Sequence, residues 1–238
     1  MSALLRTEGL TKHFRGLVAN DGIDFSLRSG EVRSIIGPNG AGKTTLLSMI
    51  SGHLPPTSGR IWYRGREITG FSVVRRARIG IGRKFQTPTL FENLSAYENV
   101  ELAILRTECP ADKREARVNA ALGTVRLTEG RDTPAQFLSH GQRQWLEIAL
   151  LLASNAELLL LDEPTAGMTV EETASTAELI NRLARERNLS IIIIEHDINF
   201  IRDLAARVTV LHLGRVLTEG SFEEVAADQR VREVYLGS

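Results

Sequence analysis

The feature that most constrains this chain is a glycine-rich loop, Gly37-Pro-Asn-Gly-Ala-Gly-Lys-Thr44. It follows a stretch from Val32 to Ile36 that predicts a strand, and it precedes a pattern that predicts a helix from Lys43 to Ile50. The spacing fits G-x-x-x-x-G-K-[ST], a loop whose backbone N–H groups surround phosphate oxygens because glycine leaves them room. The helix start adds the positive end of a dipole, the lysine reaches the outer phosphates, and the last hydroxyl can ligate Mg²⁺. We therefore expect the nucleotide contacts to come from Gly37, Pro38, Asn39, Gly40, Ala41, Gly42, Lys43, Thr44 and Thr45.

A second motif places two carboxylates directly after an apolar run. Leu158–Leu161 are all leucine, and Asp162 and Glu163 follow them. Such a run suits a strand buried on both faces of a parallel sheet, and ligands of these sheets bind beyond the carboxyl ends of the strands. Asp162 can then hold Mg²⁺ through its water shell, and Glu163 can orient or deprotonate an attacking water. Taken alone, the pair could equally be acidic turn residues at the end of a strand.

A third motif, Ser-His-Gly-Gln at residues 139–142, stands at the start of a predicted helix. Apolar residues follow from Trp145 to Leu152 at helical spacing. Ser139 and Gly141 at a helix start could form a second anion site. By itself, an ordinary serine N-cap is the simpler interpretation.

Composition narrows the classes of protein that fit. The 238 residues include 29 Lys plus Arg and 29 Asp plus Glu, and 42% are hydrophobic. This allows a sizeable core, and the absence of a basic excess argues against general nucleic-acid binding. The single cysteine, Cys109, excludes an internal disulfide or a cysteine zinc cluster and makes a reducing cytosol the default compartment. No secretory signal or membrane-spanning run is evident, so a membrane location would depend on a partner.

The order of patterns predicts an α/β chain that is interrupted by a helical stretch. Residues 4–27 predict short antiparallel strands with turns at Gly16 and at residues 20–22, and residues 60–68 predict a hairpin. Residues 90–152 have helical spacing and little strand signal. Further elements are expected as strands at residues 191–194, 208–211 and 215–217, as a helix that starts near the capping box Thr169-Val-Glu-Glu172, and as a short helix at 231–236.

In this order and spacing, the three motifs resemble an ATP-binding cassette (ABC) ATPase, and the resemblance covers nearly the whole chain. It implies a P-loop NTPase core of mixed sheet with helices, an N-terminal antiparallel β subdomain and an inserted α-helical signature subdomain. It also implies one domain over residues 1–238. Residues 1–89 and 153–238 would form the nucleotide-binding core, and about 90–152 the helical subdomain.

The resemblance implies roles for single residues. Phe14 takes the position of an aromatic that stacks on adenine, and Gln86 that of the glutamine-loop residue that senses Mg²⁺ and water. Glu163 takes the position of the catalytic base, and His196 that of the switch histidine that contacts the γ-phosphate. The implied metal set is Thr44, Gln86 and Asp162, partly through water, and the implied signature that acts across a dimer is Ser139, His140, Gly141 and Gln142.

Two residues depart from the commonest pattern of the family. His140 stands where glycine is usual, and Thr169 ends the loop after Glu163 where many relatives have aspartate. In those relatives the aspartate makes a contact across the dimer. Thr169 replaces it here and also caps the predicted helix, so the resemblance does not carry that contact over to this chain.

Within the family, several local phrases resemble the importer ATPases of branched-chain amino acid uptake and look closest to the urea-uptake branch. This implies an ATP- and Mg²⁺-dependent ATPase at the cytoplasmic face of the membrane. The implied partners are a second ABC ATPase subunit, in a hetero- or homodimer, permease subunits and, indirectly, an external solute-binding protein; no nucleic acid is expected. The alternatives are a lipopolysaccharide-export ATPase and a non-transport cassette. The phrases are Gly80–Pro88, Leu138–Ala149, Ala166–Glu172 and Val234–Gly237.

Leu90 and Phe91 lie in a predicted loop at the boundary between the α/β core and the helical stretch. They could be core residues, since large apolar side chains are mostly buried. They could also line a groove that receives a short permease helix, because exposed apolar patches on such subunits tend to mark partner sites.

Overall fold

The computed structural model describes residues 3–85 and 90–236, which form two sheets and a set of helices. The strands are β1 Leu5–Phe14, β2 Leu17–Leu27, β3 Val32–Ile36, β4 Ser58–Tyr63, β5 Arg66–Glu67, β6 Ile81–Lys84, β7 Leu158–Asp162, β8 Ser190–Ile194, β9 Arg207–His212 and β10 Arg215–Gly220. The helices are α1 Lys43–Ser51, α2 Val73–Arg78, α3 Ala96–Leu105, α4 Ala111–Thr124, α5 His140–Ala153, α6 Val170–Arg187, α7 Ile198–Asp203, α8 Phe222–Ala227 and α9 Gln229–Leu236, with a 3-10 turn at Ala135–Phe137.

The larger sheet carries the site. Its order is β10-β9-β3-β8-β7-β6, and all neighbours are parallel except the β9–β10 hairpin. Every residue of β3, β7 and β8 is buried, and the leucine run of β7 and the isoleucine run of β8 suit strands that are covered on both faces. The loops after β3, β7 and β8 therefore leave the sheet at one edge, where ligands of such sheets bind.

The smaller sheet is antiparallel, in the order β2-β1-β4-β5. The turn predicted at Gly16 and the hairpin predicted at residues 60–68 are present, but the turn predicted at residues 20–22 is wrong. Those residues lie inside β2, where the β1–β2 register shifts and Gly22 has φ 63°. The residues Asn-Asp-Gly, which favour turns, thus form an irregularity within one long strand and do not reverse the chain.

The two faces of the larger sheet belong to different cores. Leu159, Leu161 and their neighbours in β8 pack with the helices between residues 96 and 153. Leu158, Leu160 and the alternate residues of β8 pack with α1 and the antiparallel sheet. A mixed sheet with helices, an antiparallel sheet and a helical segment confirms the predicted fold class. In the described residues, no helix is long and apolar enough to cross a bilayer.

Strand β6 was not predicted. Its sequence, Ile-Gly-Arg-Lys, lacks an apolar run, yet it pairs in parallel with β7 and Lys84 is buried. The two basic residues are tolerated because each meets a carboxylate: Arg83 meets Asp162 and Lys84 meets Glu147. Buried charges are acceptable when they are paired in this way.

Candidate nucleotide-binding and catalytic site

The phosphate-binding loop depends on glycine at both of its ends. Gly37 has φ 149° and Gly42 has φ 97°, and a Cβ would lie 2.2 Å from the carbonyl oxygen of Leu211 and 2.3 Å from that of Ala19, respectively. Gly42 also precedes α1 without any side-chain cap. The first N–H groups of this helix are therefore left for a ligand, as an anion site at a helix N-terminus requires.

Lys43 is held inside the loop. Its ammonium donates hydrogen bonds to the carbonyl oxygens of Gly37 (2.8 Å) and Pro38 (3.0 Å), and the residue is buried. Burial lowers the pKa of Lys43, while the nearby charges of Glu163 and Asp162 act in the opposite direction. The loop, the lysine and both carboxylates are thus brought together, as the sequence motifs require.

Asp162 has chemistry that fits a bound Mg²⁺. The residue is buried, and its Oδ1 has no hydrogen-bond partner among the described residues. Burial raises the pKa of Asp162, and the guanidinium of Arg83 opposes this shift. A carboxylate oxygen without a partner and the exposed Thr44 at the start of α1 form a hard oxygen donor set of the kind that Mg²⁺ prefers.

Glu163 and His196 form a pair at the same edge of the sheet. His196 Nε2 lies 3.3 Å from Glu163 Oε1. The backbone of Glu163 has φ 48°, a left-handed conformation that is uncommon for residues other than glycine. The Glu163 N–H donates to the carbonyl oxygen of Ile194 at 2.9 Å, which ties the two loops together. Backbone strain of this type clusters at active sites.

Glu195 was not singled out from the sequence, yet it fixes both of these loops. Its buried carboxylate accepts hydrogen bonds from the N–H (3.0 Å) and hydroxyl (2.6 Å) of Thr165 through Oε1, and from the N–H of His196 (3.0 Å) through Oε2. The sequence feature that could have indicated this role is a glutamate directly after four isoleucines, because a charged residue at the end of a buried strand needs hydrogen-bond or ionic partners.

The predicted signature residues lie at the start of α5, beside the start of α6. Ser139 caps α5 in a capping box with Gln142, and its hydroxyl also donates to Glu172 at 3.1 Å. Glu172 itself completes the predicted capping box with Thr169. A Cβ on Gly141 would lie 2.5 Å from Glu172 Oε1, so a larger residue there would displace the Glu172 carboxylate from the start of α5.

His140, the first departure from the family pattern, connects the signature to the loop after β7. Its Nε2 lies 2.6 Å from the carbonyl oxygen of Ala166, and its imidazole packs against Gly167. One turn further along α5, the indole N–H of Trp145 donates to the Thr176 hydroxyl at 2.9 Å. The Thr176 hydroxyl also lies 3.3 Å from the sulfur of Met168 in the same loop.

The remaining predicted residues have different surroundings. Phe14 ends β1 with an exposed ring, and the β2 residue Asn20 donates to the carbonyl oxygen of Gly42 at 3.2 Å, which sets this hairpin beside the phosphate-binding loop. Gln86 lies outside the described residues. Leu90 packs on the core, whereas Phe91 is exposed, so the core interpretation is wrong for Phe91.

The C-terminal helix reaches the loop as well, which the sequence did not indicate. Val231 of α9 packs in a cluster with Ile36, the residue before Gly37. One turn later, Tyr235 lies close to the backbone of Gly37, and burial of its hydroxyl raises the pKa of Tyr235 to about 12.

Comparison with known proteins places these features in a family. Residues 20–166 match the family model described as ABC transporter. Residues 215–238 match a second model, described as Branched-chain amino acid ATP-binding cassette transporter. The first match spans the phosphate-binding loop, the signature and the two carboxylates.

Two curated relatives align along nearly the whole chain. The lipopolysaccharide export system ATP-binding protein LptB of Acidithiobacillus ferridurans is 38% identical over 100% of this chain and 98% of its own. The high-affinity branched-chain amino acid transport ATP-binding protein BraF of Pseudomonas aeruginosa is 36% identical over 98% of each chain.

Solved structures agree with the fold. A nucleotide-free ATP-binding cassette from an ABC transporter superposes with a TM-score of 0.89 at 30% identity over 100% of both chains. A dimeric cassette bound to ADP and Pi superposes with a TM-score of 0.81 at 28% identity, over 92% of this chain and 98% of its own. Because the family model covers more than half of the chain and the solved cassette covers all of it, the chain belongs to the ABC transporter family as an ATP-binding cassette, an ATPase.

Proposed function

We propose that this cassette powers an importer of the branched-chain amino acid type, with urea, a branched-chain amino acid or an amide as the solute. The observation that carries the proposal is the match of residues 215–238 to the branched-chain amino acid transporter model, which BraF supports at 36% identity. The subunit would lie at the cytoplasmic face of the membrane, bound there by a permease.

Recovery of the chain with its membrane partners tests this proposal. The permease is identified by mass spectrometry, and uptake of labelled urea, leucine and short amides is compared in cells with and without the gene. Loss of uptake of one of these solutes supports the importer. The identity to LptB makes lipopolysaccharide export the second candidate function. Recovery of an export permease with unchanged uptake would favour it.

For the site, we propose a division of labour in which each residue acts on one part of ATP. Phe14 stacks on adenine, residues 37–45 bind the phosphates, and Lys43 neutralises the outer ones. Thr44, Asp162 and Gln86 would hold Mg²⁺, which supplies charge neutralisation at the phosphates when bound. Glu163 accepts the proton of the attacking water, since it directly follows β7 and so lies at the same edge of the sheet as the phosphate-binding loop. His196, 3.3 Å from Glu163, orients that carboxylate and contacts the γ-phosphate.

We further propose that hydrolysis needs two cassettes, alike or different, because the signature would act on the nucleotide of the opposite subunit. The dimeric cassette that superposes on this chain supports the arrangement. In one subunit, residues 1–89 and 153–238 form the core that binds nucleotide, and about 90–152 form the helical part that offers the signature.

Ser139→Arg should therefore leave nucleotide binding to its own subunit intact and block hydrolysis at the site that it faces. A guanidinium on a large side chain would fill the space that the phosphates need. The measurement is ATPase activity in a heterodimer whose only competent site faces the changed signature, together with binding of a fluorescent ATP analogue to the variant subunit.

Ser139→Ala is the matched control, because both changes remove the cap of α5. Loss of an N-cap costs about 1 kcal/mol of stability, so thermal melting should fall similarly in both variants. Hydrolysis that persists with arginine at this position would contradict the action of the signature across the dimer.

Phe91 marks the surface that we propose for the permease. Its side chain is 58% exposed, while its backbone is fixed by the buried Asn99, which accepts from the Phe91 N–H at 2.9 Å and donates to its carbonyl at 3.0 Å. Phe137 is also exposed, on a segment joined to this one by the hydrogen bond from Gln136 N–H to the Glu92 carbonyl. Two exposed aromatic rings on adjoining segments suit an apolar partner helix.

Phe91→Asp should keep the fold and ATP binding while losing recovery on membranes that contain the permease. Val74→Asp is the matched control, since Val74 of α2 is similarly exposed at 54%. Thermal melting, nucleotide binding and co-sedimentation are measured for both. Normal docking by a folded Phe91→Asp variant would move the permease contact elsewhere.

A further inference from the structure

A guanidinium from β6 lies against the carboxylate that is proposed to hold the metal. Arg83 Nη2 is 3.3 Å from Asp162 Oδ2, and both side chains are almost completely buried. The two residues lie on neighbouring parallel strands, β6 and β7. Arg83 has no part in the site as the sequence motifs define it.

The position of Arg83 is set by further contacts. Its Nη1 donates to the hydroxyls of Ser48 (2.9 Å) and Ser51 (3.2 Å), which extend from α1. Its Cζ lies 4.8 Å from the centroid of the Phe85 ring. A planar guanidinium with partners on both branches is confined to one orientation, which a flexible ammonium would not be. The phosphate-binding helix and the metal carboxylate are therefore joined through one side chain.

The two oxygens of Asp162 have different environments as a result. Oδ2 faces Arg83, whereas Oδ1 is buried without a hydrogen-bond partner among the described residues. The side chains of Arg83 and Asp162 are almost completely buried, at 6% and 3% exposure. The pair stabilises the two charges together, and removal of the cation would leave an uncompensated buried carboxylate.

We propose that Arg83 is a positioning residue for the metal: it holds Oδ2 of Asp162 in place, so that Oδ1, which has no partner among the described residues, is left available to a bound Mg²⁺. The inference rests on the proposed role of Asp162 in holding Mg²⁺. Partners that orient a metal ligand typically change metal affinity by about 10–100-fold when they are removed.

The test measures metal binding without turnover. Mn²⁺, a paramagnetic substitute for Mg²⁺, is titrated into the full chain saturated with ATP in the cold, and free Mn²⁺ is followed by electron paramagnetic resonance. For Arg83→Met we expect Mn²⁺ affinity to fall about tenfold, with metal-free ATP binding unchanged. Arg83→Lys keeps the charge but loses the two-branched guanidinium, so its Mn²⁺ affinity should lie between that of the parent and that of the methionine variant. Unchanged or tighter Mn²⁺ binding in a folded Arg83→Met variant overturns the proposal.

Two further variants keep the outcome readable. Ser48→Ala combined with Ser51→Ala keeps the ion pair but removes the hydroxyls that orient the guanidinium. We expect Mn²⁺ affinity to fall in this double variant by less than in Arg83→Met, and the measurement is available even if Arg83→Met does not fold. Unchanged Mn²⁺ affinity in the double variant overturns the proposal. Asp162→Asn should remove the protein's contribution to Mn²⁺ binding. If that variant binds Mn²⁺ normally, the assignment of Asp162 itself fails. If it loses Mn²⁺ while Arg83→Met does not, only the role of Arg83 fails.

Discussion

Lys43→Ala should lose most of its affinity for ATP, by roughly 10- to 150-fold, since hydrogen bonds to charged groups are worth about 1.5–3 kcal/mol. The ammonium is the cation at the centre of the loop, within reach of the carbonyl oxygens of Gly37 and Pro38. Without it, the phosphates keep the backbone N–H groups and the helix dipole but lose their charged partner. Equilibrium binding of a fluorescent ATP analogue measures the effect.

Lys113→Ala is the control for loss of one positive charge, because Lys113 is exposed on α4, away from the loop. Its ATP affinity should equal that of the parent. Thermal melting separates a local effect from unfolding, since Lys43→Ala also removes two internal hydrogen bonds. Tight nucleotide binding by Lys43→Ala would contradict the assignment of the phosphate-binding loop.

Glu163→Gln should bind ATP normally and hydrolyse it about 10²- to 10⁴-fold more slowly, the usual contribution of a general base. Glutamine keeps the shape of the side chain and can still hydrogen-bond His196, but it cannot accept the proton of the attacking water. ATP should then trap a closed dimer with the partner cassette. Phosphate release and size-exclusion chromatography with ATP measure the two effects.

Glu171→Gln provides the matched control, since Glu171 is an exposed glutamate in the first turn of α6. Its rate of hydrolysis should match the parent, and ATP should not trap a dimer. Normal turnover by Glu163→Gln would mean that another group acts as the base.

The parts of the site that could be predicted are those encoded over a few consecutive residues. The loop at residues 37–44, the serine cap at Ser139 and the capping box that begins at Thr169 depend on local backbone geometry, so their spacing alone indicated them. The buried strands at residues 158–161 and 191–194 were equally clear, because only apolar residues fit between two cores.

The parts that could not be predicted depend on partners far apart in the chain. Strand β6 has two basic residues among its four, and their burial is explained by the carboxylates of Asp162 and Glu147 together with the α1 hydroxyls that contact Arg83. The backbone of Phe91 is likewise held by the side chain of Asn99, eight residues later, while its ring is exposed. Pairings of this kind have no sequence period, so no pattern search would find them.

The placement of the two tryptophans has a practical consequence. Trp62 lies in the antiparallel sheet with Glu8 and Arg6 around its indole, whereas Trp145 contacts Thr176, whose hydroxyl also touches Met168 in the loop after Glu163. The two fluorophores therefore sense different layers of one molecule. With Trp62 replaced by phenylalanine, the remaining tryptophan emission would come from α5 alone. It would give a label-free optical signal for movement of that helix against the loop after Glu163 during stopped-flow mixing with ATP.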